Sequence, residues 1–360
     1  MSTIRVLHVI ARMNIGGTAC YVGNVVQHIP NNALSVGFVQ GDEIEDPVVH
    51  HLRVYRINGL GRKIDPIHDF LAWLELRKLI KTLQPAIVHT HTFKAGLIGR
   101  LIRGKHKRIH TFHGHLFGDH SFSTLEKKII LIVERYLARR TDLIISVGER
   151  VGRELRGAGI GPDRDWLSIP PGVNSLPKID KVVARGLLNI DVKFFFVGWM
   201  ARMTAVKNPF LLLEVAKLLP DVQFVMAGGG DLLEEVRRSS PKNVTVIGWV
   251  DASLFWSAVD CAISTSNNEG MPIALIEAQL AGLPVVATNV GSNSEVIISG
   301  QTGVICEGNA KEIATALLGL ISNQDVLDSM TESAKKLALQ RFRLDKMLDS
   351  HKLLYEKIVE

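Results

Sequence analysis

The stretch Ile169-Pro170-Pro171-Gly172-Val173 decides how this chain of 360 residues is divided. Two adjacent prolines and a glycine interrupt helices and strands, so this segment forms a turn that leads into a polar linker. Short β-branched runs alternate with segments of helical period before the turn, and the same alternation restarts at Phe194-Phe195-Phe196-Val197. Such alternation is typical of parallel sheets covered by helices. The sequence therefore predicts an α/β protein with two Rossmann-like, doubly wound domains.

The predicted domains span residues 1–174 and 175–342, and a helix over 343–360 is long enough to return to the first domain. In the first domain we predict strands at Ile4–Ile10, Ser35–Val39, Ala86–His89, Arg108–Phe112 and Asp142–Val147, and helices at Thr18–His28, Ile67–Thr82, Ser123–Arg139 and Glu149–Arg156. In the second domain we predict strands at Phe194–Val197, Val222–Ala227, Val244–Ile247, Cys261–Ser264 and Pro284–Ala287, with three more helices after Asn309. Ligands of open parallel sheets bind beyond the carboxyl ends of the strands. The two sheets are therefore expected to face a central cleft that contains the active site.

Composition indicates a folded protein that does not span a membrane. Apolar residues make up 46% and charged residues 22% of the chain, and no apolar run approaches the roughly 20 residues that cross a bilayer. The segment from Met1 to Ala11 is too short and too strand-like for a signal peptide. The three cysteines lie far apart in the sequence, which favours a reducing compartment. We expect a cytoplasmic protein that can associate peripherally with the inner membrane.

The net charge of +6 is unevenly distributed along the chain. Residues 1–180 contain 25 Lys and Arg against 16 Asp and Glu, whereas residues 181–360 contain 17 against 20. A basic half can face phospholipid, a phosphorylated acceptor or nucleic acid, or it can be an ordinary solvated surface. We predict a membrane-docking face formed by Arg100, Arg103, Lys105, Lys107, Arg108, Lys127, Lys128, Arg135, Arg139 and Arg140, beside Ile129, Ile132, Val133 and Tyr136.

The segment from Asn268 to Ala278 carries the strongest chemical signal. Pro272 suits the first position of a helix, so the N–H groups of Gly270 and Met271 are expected to point outward at its positive end. Glu277 is the lone charge among apolar neighbours in that helix. A carboxylate there needs hydrogen-bond donors. Paired ribose hydroxyls are one candidate, and a neighbouring backbone group or lysine is the alternative.

Two cations and two glycine turns also follow predicted strands. Arg202 ends one strand and Lys207 precedes the next helix, so both are expected to hold a diphosphate that gains charge as it leaves. Gly16-Gly17 opens a helix, where backbone amides can approach a phosphate closely. Gly228-Gly229-Gly230 is either a ligand loop or a tight turn. No Gly-x-Gly-x-x-Gly occurs, so a dinucleotide coenzyme is not expected.

Histidines and paired acids raise the question of a metal. His89-Thr90-His91 and His113-Gly114-His115 each contain two imidazoles, but neither has a nearby cysteine or acidic ligand pattern. Asp163-Arg164-Asp165 resembles an acid pair of the kind that holds a divalent ion, yet it lies in a polar loop. We therefore expect neither a metal site nor a cofactor.

Together these segments resemble retaining glycosyltransferases of family 4, which have the GT-B fold. Glu269 and Glu277, eight positions apart, match the family's two-glutamate motif, and Gly282-Leu283-Pro284-Val285-Val286 continues it. Thr111-Phe112-His113-Gly114 matches a further block. Ala201 stands where the family usually has glycine, and Pro171 replaces the common asparagine before Gly172. The other matching blocks are Gly16-Gly17, Arg202 with Lys207, Pro171-Gly172-Val173 and Gly291 to Glu295.

The resemblance implies specific roles for these residues. Glu269 and the amides of Gly270 and Met271 would address the donor sugar, Glu277 the ribose, Gly17 the diphosphate, and His113 the transferred sugar. The implied catalytic residues are His113, Glu269, Arg202 and Lys207. The implied donor-binding residues are Gly16, Gly17, Arg202, Lys207, Trp249, Val250, Glu269, Gly270, Met271 and Glu277.

The expected reaction transfers a sugar, with retention, from a nucleoside-diphosphate-sugar to a hydroxyl group of a lipid-linked or saccharide acceptor. Surface polysaccharide biosynthesis is the expected setting, and nucleic acid is not an expected partner. A GT-B epimerase acting on UDP-sugars and a non-catalytic sugar-nucleotide sensor are the alternatives. The missing glycine fingerprint disfavours a nicotinamide oxidoreductase.

Overall fold

The computed structural model describes residues 4–39, 44–61, 65–114, 123–162 and 165–360, which form two compact units. Unit 1 contains the described residues up to Gly172 together with Leu344–Glu360. Unit 2 is Val173–Arg343. The chain thus leaves unit 1 within the predicted turn and returns to it at the start of the last helix.

Unit 1 is a parallel sheet of seven strands in the order β3-β2-β1-β4-β5-β6-β7. Its strands are β1 (Val6–Ile10), β2 (Asn32–Val36), β3 (Val54–Arg56), β4 (Ile87–His91), β5 (Lys107–Phe112), β6 (Leu143–Ser146) and β7 (Trp166–Ser168). Its α-helices are α1 (Gly17–His28), α2 (Pro66–Leu83), α3 (Phe93–Arg100), α4 (Thr124–Ala138), α5 (Glu149–Gly157) and, from the end of the chain, α14 (Leu344–Val359). A 3-10 helix spans Pro47–His51.

The two faces of this sheet differ in chemistry. Leu7 and Val88, which pair in register on β1 and β4, belong to an apolar core with Leu76 of α2. Because successive side chains of a strand point to opposite faces, the intervening His8 and His89 share the other face. Both histidines are fully buried. The parallel register therefore concentrates imidazoles inside unit 1.

Unit 2 is a parallel sheet of six strands in the order β10-β9-β8-β11-β12-β13. Its strands are β8 (Phe196–Met200), β9 (Gln223–Ala227), β10 (Val244–Gly248), β11 (Cys261–Ser264), β12 (Val285–Thr288) and β13 (Gly303–Cys306). Its helices are α6 (Lys181–Leu187), α7 (Pro209–Leu218), α8 (Leu233–Ser239), α9 (Ala252–Ala258), α10 (Ile273–Leu280), α11 (Asn293–Val296), α12 (Ala310–Ile321) and α13 (Gln324–Arg341). The buried side chains of Trp199, Phe224 and Leu212 belong to its core.

The structure confirms two α/β units and adds elements that the sequence did not indicate. The strands β3 and β7 have three residues each and lie at the two edges of the first sheet. Three residues are too few to show an alternating pattern, so both were missed. The strand β13 was also missed, because it begins with a glycine. The helix α10 begins at Ile273, so placing Pro272 at the first helical position was wrong by one residue.

One residue of the predicted docking face is not at the surface. Arg100 is completely buried, and its Nη2 lies 2.7 Å from Oε2 of Glu134, which is also buried. Its Nε donates to the backbone oxygen of Gly96 at 3.0 Å. The sequence suggested an exposed cation because Arg100 belongs to a basic run. The prediction was wrong for this residue, since Arg100 instead joins α3 to α4.

Replacing Arg100 by methionine is expected to destabilise unit 1. The substitution leaves the Glu134 carboxyl group buried without its partner, and breaking a buried pair typically costs about 3–5 kcal/mol. Thermal unfolding should show a midpoint lowered on the order of 10 °C. Arg237→Met is the control, because Arg237 forms an exposed pair with Glu234, and such pairs contribute about 1 kcal/mol or less. Equal midpoints for the two variants would contradict this assignment.

Candidate active site

The carboxylate of Glu269 lies beyond the carboxyl end of β11 in unit 2. Its Oε1 lies 2.6 Å from Nζ of Lys207 and accepts a hydrogen bond from Oγ of Ser266 at 2.7 Å. The side chain of Glu269 is 8% exposed, and that of Lys207 is 21% exposed. The other carboxylate oxygen, Oε2, makes no hydrogen bond to a described residue. One oxygen is thus fixed in place while the second remains available to a ligand.

A set of hydrogen bonds between two loops brings Lys207 to Glu269. Thr265 donates its hydroxyl to the backbone oxygen of Asn208 at 2.9 Å and accepts from the indole of Trp199 at 3.0 Å. The backbone N–H of Asn267 donates to the oxygen of Val206 at 2.8 Å. These bonds join the turn after β8 to the loop after β11. Lys207 is therefore held by backbone geometry as well as by its charge.

Gly291 allows a third loop to approach the backbone of Glu269. Its φ is +49°, and a Cβ atom there would lie 2.0 Å from the backbone oxygen of Glu269. The following residue, Ser292, donates its N–H to the oxygen of Gly270 at 2.9 Å. A side chain at position 291 would push this loop away. The predicted block from Gly291 to Glu295 thus supports the Glu269–Gly270 segment.

Glu277 lies on α10, and its carboxylate forms no ion pair with a described residue. Among the described residues it therefore has no lysine partner, and the donor that acts on its pKa is the indole of Trp256. Burial raises the pKa of Glu277 to about 7, the negative charge of Asp251 adds to the rise, and the indole of Trp256 opposes it. The buried Nε1 of Trp256 has no hydrogen-bond partner of ordinary geometry. Glu277 is thus a partly buried carboxyl group with free hydrogen-bonding capacity.

The other predicted donor-site residues of unit 2 follow the strands β8 and β10. Arg202 is exposed after β8. Trp249 is 47% exposed, and Val250 is partly buried beside it. A Cβ atom on Gly229 would lie 2.4 Å from Nε1 of Trp249. A Cβ atom on Gly228 would lie 1.9 Å from the oxygen of Ala201. These contacts favour the tight-turn interpretation of the glycine run, because each glycine makes room for a neighbouring group.

In unit 1, the predicted residues lie after the first and fifth strands. Gly16 precedes α1 with a φ of 148°, a conformation that favours glycine, and Gly17 is the exposed first residue of that helix. His113 follows β5, and its ring packs edge-on against Tyr21 with centroids 5.0 Å apart. Burial lowers the pKa of His113 to about 3, so its imidazole is neutral near pH 7.

The fold brings His8 close to His89 and His91, which lie far from it in the sequence. His8, His89 and His91 have ring nitrogens within 4.8 Å of one another, a grouping that could hold a metal ion. His8 was not predicted to join the other two, because it lies far from them in the sequence. Each of their six ring nitrogens also has a hydrogen-bond partner. Asp163 lies outside the described residues, so the structure gives no geometry for its pairing with Asp165.

Several residues of the site were missed by sequence reasoning. Ser266 and Thr265 belong to a Ser-Thr-Ser run at the end of β11, a signal that was present and unused. Trp256 gave no such signal, because only the packing of α9 on α10 brings it near Glu277. Tyr21 was not singled out either, because only the fold brings its ring against His113.

Two known protein families together match most of this chain. Residues 15–175 match the family described as Glycosyltransferase Family 4. Residues 184–337 match the family described as Glycosyl transferases group 1. The chain is a family 4 glycosyltransferase. Its two sheets, each with the loops described above, are the two halves of the GT-B fold.

Relatives and solved structures are similar to this glycosyltransferase over most of its length. An Escherichia coli UDP-Gal:alpha-D-GlcNAc-diphosphoundecaprenol alpha-1,3-galactosyltransferase is 26% identical, with 99% of this chain and 98% of that protein covered. The E. coli O-antigen biosynthesis glycosyltransferase WbnH is 26% identical over 86% of this chain and 88% of its own. Anabaena Alr3699/HepE, solved with UDP and glucose, shares the fold with a TM-score of 0.84, 18% identity and coverage of 98% of this chain and 100% of that chain.

The raised pKa of Glu277 predicts a pH-dependent effect of Glu277→Gln on stability. The folded protein keeps this proton up to about pH 7, whereas the ordinary value is 4.5. The wild type therefore loses stability relative to the variant as the pH rises from about 5 to 8. Unfolding midpoints measured across this range should diverge in favour of Glu277→Gln, while Glu214→Gln, on an exposed residue of α7, should show no such trend. A midpoint difference that is constant with pH would contradict the assignment.

Proposed function

We propose that this glycosyltransferase moves a sugar from a nucleoside-diphosphate-sugar to a hydroxyl group, with retention at the anomeric carbon, during synthesis of a bacterial surface polysaccharide. The names of its relatives support this setting, since they include a galactosyltransferase that acts on a diphosphoundecaprenol-linked sugar and an O-antigen glycosyltransferase. The acceptor is accordingly a lipid-linked or other saccharide.

The main support for this proposal is the hydrogen bonding of the Glu269 carboxylate. Lys207 and Ser266 hold Oε1, so Oε2 is left to accept a hydrogen bond from a sugar hydroxyl group. The backbone N–H groups of Gly270 and Met271 precede α10 and can donate to the same sugar. A carboxylate held this rigidly discriminates between sugars, because a sugar that lacks the matching hydroxyl leaves it unpaired.

The rest of the donor is assigned to neighbouring groups. Glu277 has free acceptor capacity for the ribose hydroxyls. Trp249 and Val250 flank the base. Arg202 and Lys207 stabilise the charge that develops on the departing diphosphate, which itself helps to take the acceptor proton. No metal ion or cofactor is needed in this scheme, because the two cations and the positive end of α10 supply the stabilisation.

Unit 1 is assigned the acceptor side of the reaction, and it also contributes groups that contact the donor. Gly16 and Gly17 leave the backbone at the start of α1 open to a phosphate. His113 is neutral, so it can donate a hydrogen bond to a hydroxyl group of the transferred sugar without adding charge.

A donor screen tests the proposal directly. UDP-, GDP- and ADP-sugars are compared by thermal shift, where a ligand at 100 times its Kd stabilises the protein by about 2.7 kcal/mol. The donor that binds is then used in a transfer assay with excess EDTA, and the product's anomeric configuration is read by NMR. We expect one base to be preferred, transfer to persist in EDTA, and the configuration to be retained. Activity lost with EDTA and restored by magnesium or manganese would contradict the metal-free scheme and direct attention to Asp165 and the histidines.

Kinetics should separate the roles of the donor-site residues. Glu277→Gln removes a contact made equally in the ground and transition states, so donor KM should rise more than kcat falls. Arg202→Ala removes a group aimed at developing charge and should lower kcat by on the order of 100- to 1,000-fold. Lys217→Ala, on an exposed residue of α7, is the control. An unchanged kcat in Arg202→Ala, together with loss of kcat in Glu277→Gln, would reverse the assigned roles.

We further propose that unit 1 docks on an anionic membrane through α4. Four large apolar side chains of this helix are exposed at spacings of four, three and four residues, a single stripe in helical geometry: Leu125, Ile129, Ile132 and Tyr136. The guanidinium of Arg140 stacks on Tyr136 at 4.5 Å. A cavity next to α4 is lined by Arg103, Arg108, Arg139 and Arg140. Apolar and cationic groups side by side suit a surface of acidic phospholipid. Among the described residues, no helix combines the length and apolarity needed to span a bilayer.

Vesicle sedimentation tests this docking surface. Binding to vesicles that contain phosphatidylglycerol should fall steeply as salt rises. The double variant Leu125→Ser/Ile132→Ser should bind less at every salt concentration, since each residue loses apolar burial. Arg139→Gln/Arg140→Gln should reduce the salt dependence. Leu318→Ser, which changes an exposed leucine of unit 2, is the control. Absence of binding at low salt would identify the stripe as ordinary surface.

A further inference from the structure

Hydrogen bonds join four side chains of unit 1 into a chain that ends at His113. Nδ2 of Asn32 lies 3.2 Å from Nε2 of His8. Nδ1 of His8 lies 3.0 Å from Nε2 of His91. Nδ1 of His91 lies 3.0 Å from Nε2 of His113. Asn32, His8 and His91 are all buried, so no bulk water competes for these bonds.

Asn32 gives this chain a direction. Its Nδ2 also donates to the backbone oxygen of Val25 at 3.3 Å, and a carbonyl oxygen can only accept. The group facing both Val25 and His8 is therefore the NH2 of the amide. Since that group only donates, Nε2 of His8 must accept and carries no proton.

Because His8 and His91 are neutral, the donor-to-acceptor order set by Asn32 continues along the chain of hydrogen bonds. Burial lowers the pKa of His8 to about 3 and the pKa of His91 well below its ordinary value, so each imidazole has a single N–H near pH 7. The proton of His8 is then on Nδ1, which donates to Nε2 of His91. The proton of His91 is in turn on Nδ1, which donates to Nε2 of His113. The same rule places the proton of His113 on its own Nδ1.

We propose that Asn32, His8 and His91 are positioning residues that hold His113 in its Nδ1–H tautomer. Among the described residues, Nδ1 of His113 has no hydrogen-bond partner, so its N–H is available to a ligand. The inference deepens the proposed function, in which His113 addresses the transferred sugar. It assigns the nitrogen that does so, and it makes that nitrogen a donor, which selects a sugar oxygen as its partner.

Metal binding is the competing use of these histidines. An ion held by His8, His89 and His91 would take the lone pairs that the chain uses for hydrogen bonds. His89 stacks on His91 with centroids 4.3 Å apart, but its nitrogens bond to Tyr355 and Thr111 instead. His89 is as deeply buried as His8 and His91 and lies outside the chain. It is therefore the matched control position.

Nitrogen-15 NMR of protein labelled at its 13 histidines tests the proposal. Protonated and unprotonated ring nitrogens have distinct shifts, and His113→Gln identifies the signals of His113. The wild type is expected to show His8, His91 and His113 as Nδ1–H tautomers. Because this measurement uses the wild-type protein, it does not depend on whether a variant folds. An Nε2–H tautomer at any of the three, or shifts of the His8 and His91 nitrogens on titration with Zn²⁺, would overturn the proposal.

Variants then test the direction of the chain. His8→Asn can keep a donor near the position of Nδ1 and should preserve the His113 tautomer, whereas His8→Leu and His91→Phe should convert His113 at least partly to Nε2–H. His89→Phe should leave it unchanged. A His113 tautomer that ignores His91→Phe would remove the positioning role. If the tautomers are as proposed but His113→Ala transfers sugar at the wild-type rate, the chain stands and the assigned role of His113 in transfer fails.

Discussion

The ion pair between Lys207 and Glu269 is the interaction on which the donor half depends. It fills one carboxylate oxygen and leaves the other free. Three loops meet to form it: the turn after β8 carries Lys207, the loop after β11 carries Glu269, and Gly291 lets the loop after β12 approach the Glu269 backbone. A parallel sheet brings these loops to one edge because all its strands end on the same side. The site is thus a consequence of the sheet, refined by hydrogen bonds between loops.

Unit 1 uses the same sheet geometry for a different purpose. Pairing of His8 with His89 on adjacent strands puts imidazoles on a buried face where aliphatic side chains would be the usual choice. Buried neutral imidazoles must satisfy their nitrogens, and here they do so largely with one another and with Asn32. Arg100 with Glu134 shows the same principle on α3 and α4. In both cases a polar group is kept inside because its partner is fixed by the fold.

The sequence predicted the two units, most strands and the last helix, Leu344–Val359, because apolar residues recur with a regular period in these elements. Short edge strands such as β7 were missed for lack of such a period. Glu269, Glu277 and Lys207 could be singled out as candidates because each belongs to a short local motif. The pairing of Lys207 with Glu269, the nearness of Trp256 to Glu277 and the addition of His8 to the histidines all depend on contacts between distant segments. Arg100 was wrongly predicted to be an exposed cation for the same reason, since its partner Glu134 lies 34 residues away.

A double-mutant cycle on Lys207 and Glu269 measures whether the lysine acts by holding the carboxylate. kcat/KM for the best donor is measured for the wild type, Lys207→Met, Glu269→Gln and the double variant. If Lys207 acts by holding Glu269, each single change loses most of what the pair contributes, and the losses are non-additive by about 1–2 kcal/mol. Lys217→Met with Glu269→Gln serves as the control cycle, with additive losses expected. Additive losses for Lys207 and Glu269 would show that the two residues act independently and that their ion pair does not organise the donor site.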